Sequence, residues 1–131
     1  MFISTHAYSA QVLGQRESET LPQFMQDLAQ LRRLQAAWAT SKITQRTAQL
    51  LQLAERIAAA KDELAAAVCM EVGRCLRECE AEIDKTVDLI RYYAKLAPEL
   101  LDSKTITTQA SLSQVRFEPL GVVLAVMPWN Y

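Results

Sequence analysis

The sequence predicts an α/β fold that is mainly helical at first and ends in a polar β arm and a buried strand. Apolar residues recur every three or four positions from about residue 20 to residue 97, which indicates amphipathic helices. The period falls to two across residues 105–117, which indicates strands with one polar face. Residues 122–127 are then continuously apolar, as in a strand buried on both faces of a parallel sheet.

Composition excludes several classes of protein. Half of the 131 residues are apolar and 22% are charged, which is globular rather than disordered composition. The net charge of −1, without a basic cluster, predicts no nucleic-acid partner. No apolar run approaches the ~20 residues of a membrane span, and the N-terminus does not resemble a signal peptide. The sequence therefore predicts a cytoplasmic protein without membrane contact.

The first elements follow from local patterns. Residues 2–13 predict one or two short strands. Thr20 is well placed to cap a helix whose first turn tolerates Pro22, because the missing amide of proline is not needed there. That helix carries one apolar stripe, which consists of Phe24, Leu28, Leu31, Leu34 and Trp38.

Three further helices are predicted. Apolar positions from Ile43 to Ala58 indicate the second, which begins after a break at residues 40–41. The third is expected over residues 63–72, capped by Asp62 and ended by Gly73 in a left-handed conformation. The fourth begins at Leu76 and is expected to end before Pro98. Its apolar series is Leu76, Cys79, Ile83, Val87, Ile90, Tyr93 or Ala94, and Ala97.

Three cysteines, Cys69, Cys75 and Cys79, invite two interpretations. Cys75 and Cys79 are four residues apart on a predicted helix and would share a face, so a soft-metal or redox site is one possibility. A structural zinc site needs four ligands, however, and the single histidine, His6, is distant in sequence. The ligand deficit favours cysteines that act as small buried hydrophobic residues, and no metal site is predicted.

A group of acidic residues also has two interpretations. The group consists of Glu71, Glu78, Glu80 and Glu82. It is either a cluster for acid–base chemistry or a solvated, ion-paired surface. Basic residues are interleaved with them, which favours the ion-paired surface. The chain shows no nucleophile–base arrangement, and three glycines in total do not make a phosphate-binding loop.

The last residues are the strongest candidates for a functional site. Pro128, Trp129 and Asn130 follow the apolar run, and the carboxyl end of a buried strand faces the crevice where α/β proteins bind ligands. The Asn130 carboxamide can donate a hydrogen bond to an oxygen that gains negative charge during a reaction. From the residues alone, Asn130 as an ordinary turn residue remains the alternative.

The segment from Glu118 to Tyr131 resembles the part of the NAD(P)-dependent aldehyde dehydrogenase superfamily that begins its nucleotide-binding domain. The motifs that carry this resemblance are Glu118-Pro-Leu-Gly-Val-Val and Met127-Pro-Trp-Asn-Tyr. Upstream, Glu71-Val-Gly-Arg and Ile90-Arg-Tyr-Tyr-Ala agree in order and spacing. The resemblance covers about residues 11–131 and is closest to the succinate-semialdehyde dehydrogenase branch.

The resemblance implies a division of the chain. Residues 1–101 would be the N-terminal helical part of the cofactor-binding domain, and residues 102–118 would form an oligomerisation β arm. Residues 119–131 would form the first strand of the nucleotide-binding domain, truncated at its end. A parent protein of this family would assemble as a homodimer or homotetramer.

The resemblance also assigns roles to the final motif. Asn130 would donate a hydrogen bond to the oxyanion of a cysteine thiohemiacetal formed from an aldehyde substrate. Met127, Pro128 and Trp129, together with Asn130, would line the nicotinamide-ribose side of a pocket for NAD or NADP.

The family's nucleophilic cysteine and general-base glutamate lie downstream of this motif and have no counterpart in the chain. We therefore expect a fragment of an oxidoreductase that is itself inactive and binds no NAD or NADP. The alternative is a non-catalytic binding or regulatory module that docks on a full-length dehydrogenase subunit.

Overall fold

The computed structural model describes residues 1–128. They form a hairpin, then four helices, then a second hairpin. In chain order these are β1 (Phe2–Thr5), β2 (Val12–Arg16), α1 (Leu21–Ala39), α2 (Ile43–Ala59), α3 (Lys61–Val72), α4 (Leu76–Leu100), β3 (Lys104–Thr105) and β4 (Gln114–Val115). Within residues 1–128, no helix has both the length and the apolar character that crossing a bilayer requires.

The core lies where α2 and α3 pack against α4. Its buried side chains in the described residues are mostly small: Thr47 and Ala54 of α2, Ala65 of α3, and Cys79, Val87 and Ala94 of α4. Short side chains let helices approach closely, because the distance between helix axes depends on the residues at the contact. The buried positions of α2 and α4 belong to the apolar series that the sequence predicted, so the orientation of both helices is confirmed.

The N-terminal hairpin docks on the end of α3. β1 and β2 are antiparallel, and the Ala7 amide beyond β1 donates to the Met70 carbonyl at 2.8 Å. The Tyr8 hydroxyl donates to the Gly73 carbonyl at 2.6 Å. Gly73 has a φ of 77°, so the predicted left-handed end of α3 is confirmed. A Cβ at Gly73 would lie 2.9 Å from the Ala7 Cβ, so the position also requires glycine for space.

The first helix forms as predicted but remains uncovered. Thr20 is its N-cap, and the Thr20 side chain accepts from the Gln23 amide at 3.4 Å. The helix ends at Ala39, where the Trp38 carbonyl accepts from both the amide and the hydroxyl of Ser41. No residue of α1 is buried, and no other described helix or strand packs closely along it. Its apolar stripe is therefore a surface feature of this chain.

Two predicted helix boundaries were wrong. α3 begins at Lys61 with Ala60 as its N-cap, so Asp62 lies inside the first turn instead of capping it. There its carboxylate still favours the helix, because negative charge is stabilised near a helix N-terminus. α4 continues past Pro98 to Leu100. Proline removes one amide donor, but the Leu101 amide still reaches the Ala97 carbonyl at 3.0 Å, so the last turn closes.

The predicted polar hairpin is present in a shorter form. Only Lys104–Thr105 pairs with Gln114–Val115. One more backbone bond, from the Ile106 amide to the Ser113 carbonyl at 2.8 Å, extends the contact toward the turn. Residues 107–112 and 116–117 form no strand, so the paired region is shorter than the predicted alternating pattern.

The predicted strand over residues 119–128 is absent from the structure. None of the four strands in the described residues pairs with this segment. The side chains of Val126 and Met127 are 88% and 76% exposed, so the expectation of burial on both faces was wrong for this chain. A strand needs a partner for its backbone groups, and residues 1–128 offer none at this position.

Candidate functional site

The candidate site begins where the polar arm leads into the terminal segment. Arg116 and Glu118 form an ion pair at 3.2 Å, and both side chains are exposed. Glu118 and Pro119 then line a small cavity of about 140 Å³ together with Arg46 of α2. The Nε of Arg46 is shielded from solvent and has no hydrogen-bond partner among the described residues. After the polar arm, the terminal segment therefore passes beside the start of α2.

Gly121 directs the segment toward α1. Its φ of 111° is a conformation that residues with a side chain rarely adopt, and no atom lies within 4 Å of a Cβ built there. Glycine is needed at this position for the backbone and not for space. Val122 then lines a cavity of about 510 Å³ with Leu31, Leu34 and Trp38 of α1.

The next two residues lie beside the first half of α1. Val123 and Leu124 line a second cavity of about 550 Å³, whose α1 residues include Phe24, Leu28 and Leu31. Charged side chains also line it, namely Glu19, Asp27 and Arg32. The terminal segment and α1 thus form one apolar groove with charged groups among its lining residues. Sequence patterns identified both apolar stretches but did not predict that they would lie side by side.

Of the four predicted site residues, two lie within the described residues and two lie outside them. Met127 and Pro128 are described, and both are exposed. Trp129 and Asn130, which were predicted to complete the cofactor-binding and catalytic group, lie outside the described residues. The roles of all four residues remain predictions.

Met127 and Pro128 are apolar and exposed, which is compatible with residues that contact one side of NAD or NADP without enclosing it. They line neither of the two cavities beside Val122 and Leu124, which are lined mainly by apolar residues of α1.

The cysteines lie away from this groove and differ from one another. Cys79 is fully buried, and burial raises the pKa of its thiol, with neighbouring Cys69 adding to the rise. Because the thiolate is the nucleophilic form, Cys79 is poorly suited to covalent catalysis. Cys75 is exposed and precedes α4 as its N-cap in an extended conformation. The prediction that Cys75 and Cys79 share a helix face was therefore wrong.

Two members of the acidic group, Glu78 and Glu82, are ion-paired, as predicted. Arg74 contacts the carboxylate of Glu82 directly and that of Glu78 at 3.7 Å. The hydrogen bond to Glu82 raises the pKa of the Arg74 guanidinium. Glu71 accepts from the Ser4 hydroxyl and so connects α3 to β1. These carboxylates have structural partners, which favours a surface role over acid–base chemistry.

His6 has a local structural role that sequence patterns did not predict. Its Nδ1 accepts from the amides of Tyr8 and Ser9, each at 3.3 Å, within the turn between β1 and β2. The only sequence signal was its position among small residues at a turn. Across residues 1–128, no three His, Cys, Asp or Glu side chains group closely enough to hold a metal ion.

Comparison with known proteins identifies the family. Residues 2–131 match the aldehyde dehydrogenase family. A succinate-semialdehyde dehydrogenase [NADP(+)] of Deinococcus radiodurans is 35% identical over 94 residues, which cover 72% of this chain and 20% of that protein. The succinate semialdehyde dehydrogenase [NAD(P)+] Sad of Escherichia coli is 27% identical over 133 residues, which cover 98% of this chain and 29% of that protein.

Solved structures agree in fold. The glyceraldehyde-3-phosphate dehydrogenase GapN of Methanocaldococcus jannaschii, complexed with NADP, superposes with a TM-score of 0.91 at 21% identity. The superposition covers 99% of this chain and 28% of that one. The succinic semialdehyde dehydrogenase of Streptococcus pyogenes superposes with a TM-score of 0.79 at 24% identity, over 87% of this chain and 25% of that one.

The chain therefore has the fold of the corresponding part of these enzymes while spanning only 20% to 29% of the two relatives above. The predicted fold class is confirmed, with the terminal strand unformed in this chain. On the match over residues 2–131, the chain belongs to the aldehyde dehydrogenase family.

Proposed function

We propose that this chain is the N-terminal portion of an oxidoreductase that oxidises an aldehyde to a carboxylic acid with NAD or NADP. The observation that carries the proposal is the family match over residues 2–131, which includes the terminal Met-Pro-Trp-Asn motif. In the parent, a cysteine thiol would add to the aldehyde to give a thiohemiacetal, NAD or NADP would accept hydride from it, and water would hydrolyse the resulting thioester to the acid and the free thiol. We also propose that the protein is cytoplasmic.

In this proposal, Asn130 is the residue of this chain that contacts the reacting atoms. Its carboxamide N–H donates to the thiohemiacetal oxygen as negative charge develops, and Met127, Pro128 and Trp129 line the nicotinamide-ribose side of the cofactor pocket. Support comes from sequence position, because the motif directly follows the apolar segment. A preorganised donor of this kind contributes a factor of about 10²–10³ to kcat.

A semialdehyde that carries a carboxylate is the proposed substrate class. Relatives named succinate-semialdehyde dehydrogenase support it, and a relative in Synechocystis named "probable succinate-semialdehyde dehydrogenase [NADP(+)]" is 40% identical over 66% of this chain. An aminoacetaldehyde dehydrogenase of Pseudomonas aeruginosa, 31% identical over 99% of this chain, makes an amino aldehyde the competing class. The names of the relatives include NADP(+) and NAD(P)+, so both cofactors belong in the assay.

The 131-residue chain is inactive on its own in this proposal. The buried Cys79, with its raised pKa, does not suit a nucleophile. Residues 102–118 serve as an oligomerisation arm in the parent, which is a homodimer or homotetramer. The short β3–β4 pairing, which leaves polar strand-forming residues exposed, supports that role.

The test is a chimera in which residues 1–131 replace the matching first part of the Escherichia coli enzyme Sad. We expect the chimera to reduce NAD or NADP with succinate semialdehyde, whereas the chain alone does not. Asn130→Ala in the chimera is expected to lower kcat about 10²–10³-fold. The matched control is Gln49→Ala, which removes an exposed carboxamide from α2 and should leave kcat unchanged.

Two results would contradict the proposal. A folded chimera without aldehyde-dependent reduction of either cofactor would remove the assigned activity. An Asn130→Ala chimera with the kcat of the unsubstituted chimera would remove the assigned role of Asn130.

A non-catalytic module that docks on a dehydrogenase subunit is the second candidate. The specific observation that favours it is α1, which has no buried residue despite its apolar stripe. Co-purification of the 131-residue chain with an intact dehydrogenase, without change in the activity of that enzyme, would favour docking over the catalytic proposal.

A further inference from the structure

The turn between β1 and β2 is organised around one histidine. We call it the His6 turn; it begins at His6 and ends at Gln11. The backbone amides of Tyr8 and Ser9 donate to the Nδ1 of His6, each at 3.3 Å. The Ala10 amide donates to the His6 carbonyl at 3.0 Å, and the Gln11 amide donates to the Ser9 hydroxyl at 3.4 Å. Two amides of the turn therefore depend on a side-chain atom that can take up a proton.

The His6 turn also contains a strained residue. Ala10 has a φ of 58°, which lies in the left-handed range. In this conformation the Cβ of an L-residue lies too close to the carbonyl oxygen that follows, which costs free energy. The turn is thus stable only while its hydrogen bonds offset that cost.

The same turn fastens the hairpin to α3. The Ala7 amide donates to the Met70 carbonyl at 2.8 Å, and the Tyr8 hydroxyl donates to the Gly73 carbonyl at 2.6 Å. Ala7 and Tyr8 directly follow His6, so the conformation of the turn sets the position of both contacts. Loss of the bond between the His6 ring and the Tyr8 amide would free the residue whose hydroxyl holds Gly73.

Protonation reverses the hydrogen-bonding character of the His6 ring. A neutral imidazole accepts through one nitrogen, whereas an imidazolium carries N–H groups on both nitrogens and accepts nothing. Protonated His6 would place an N–H and a positive charge against the two amide donors of Tyr8 and Ser9. The side chain is partly exposed, so solvent protons reach it. We infer that His6 is a pH-sensitive latch, which holds the N-terminal hairpin on α3 when neutral and releases it when protonated.

Other groups of the hairpin and of α3 can carry charge. The Tyr8 ring centroid lies 6.1 Å from that of His6, and the Glu71 carboxylate of α3 accepts a hydrogen bond from β1. The α-amino group of Met1 and the side chain of Arg16 lie at the opposite end of the hairpin. Carboxylates, phenols and guanidinium groups ordinarily titrate outside the range from about pH 5.5 to 7.5, whereas histidine titrates within it. The loss of docking over this range is therefore assigned to His6.

Amide hydrogen exchange of the 131-residue chain, followed by NMR, tests the latch. The reporter is the Ala7 amide, because it bonds to Met70 of α3. Its protection factor compares its exchange rate with that of an unstructured peptide at the same pH. We expect this factor to fall at least about 10-fold from about pH 7.5 to about pH 5.5, because two hydrogen bonds are lost. The amide of buried Val87 in α4 should keep its protection factor.

Three variants separate the proton on His6 from other causes. His6→Asn should keep the hairpin docked at both pH values, because an asparagine oxygen accepts from the amide two residues on and does not titrate. His6→Ala supplies no acceptor, so the protection of Ala7 should be low at both pH values. The matched control is Glu71→Gln, which keeps an acceptor for the Ser4 hydroxyl and removes the charge. This control should keep the response to pH.

Each outcome decides the inference. A fall in protection that occurs in the unsubstituted chain and in Glu71→Gln, but not in His6→Asn, supports it. Constant protection in the unsubstituted chain overturns it, as does an equal fall in His6→Asn or full protection in His6→Ala at about pH 7.5. The ¹⁵N shift of Nδ1 in the unsubstituted chain decides the matter even where a variant fails to fold. Its midpoint must coincide with that of the Ala7 change, and a different midpoint overturns the inference.

Discussion

Replacement of Gly73 by alanine tests the contact between the N-terminal hairpin and α3. A residue with a side chain at the φ of 77° costs roughly 1–2 kcal/mol. The new Cβ would also lie 2.9 Å from the Ala7 Cβ, and overpacking of this kind costs about 1–3 kcal/mol. Reduced freedom of the unfolded chain offsets about 0.4–1 kcal/mol. We therefore expect the free energy of unfolding to fall by about 1–5 kcal/mol, with a central value of about 3 kcal/mol.

Urea unfolding followed by far-UV circular dichroism measures this change. Gly14→Ala is the matched control, because no atom lies within 4 Å of its Cβ position and its φ is not in the left-handed range. We expect about 0.5 kcal/mol or less for the control. Ala7→Gly combined with Gly73→Ala should recover the part of the loss that comes from the close contact. Equal effects of Gly73→Ala and Gly14→Ala would refute the reasoning.

The remaining predictions concern the core and the thiols. Val87→Ala should lower the free energy of unfolding by about 2 kcal/mol, since Val87 is 4% exposed, whereas Val126→Ala at 88% exposure should change it by less than about 0.5 kcal/mol. Iodoacetamide should modify Cys75 before Cys79, as followed by mass spectrometry. Because burial raises the pKa of Cys79, its thiolate fraction at a given pH is lower and its modification should require higher pH; equal rates at neutral pH would contradict this.

Helical elements were predictable because their signals are local. The spacing of apolar residues placed α1, α2 and α4 and selected the faces that carry Thr47, Ala54 and Cys79. Gly73 was recognised as a helix end from its residue type alone. Pro98 misled the prediction because proline stops a helix only when the turn around it cannot close, which depends on its neighbours and not on proline itself.

The candidate site was less predictable because its geometry depends on distant partners. A continuous apolar run predicts a strand, but a strand exists only where another one pairs with it, and residues 119–128 find no partner. Val122 and Leu34 line the same cavity although they are far apart in sequence, and the periodicity of apolar residues does not predict that they lie near each other. The same is true of the hydrogen bond between Tyr8 and Gly73. Family motifs supplied the assignment of Asn130, which local patterns alone left as either a turn residue or an oxyanion donor.

The docking of the N-terminal hairpin on α3 also has a consequence for the order of folding. The carbonyls of Met70 and Gly73 lie at a helix end, where intrahelical donors run out, and Ala7 and Tyr8 supply the missing donors. Residues 1–16 are synthesised before residue 73, so their docking site is not complete when they are made. At about 5–20 residues per second, synthesis of the intervening stretch takes several seconds. An isolated hairpin is at best marginally stable in water, so the hairpin of β1 and β2 is fixed in place only after α3, which is made later, has formed.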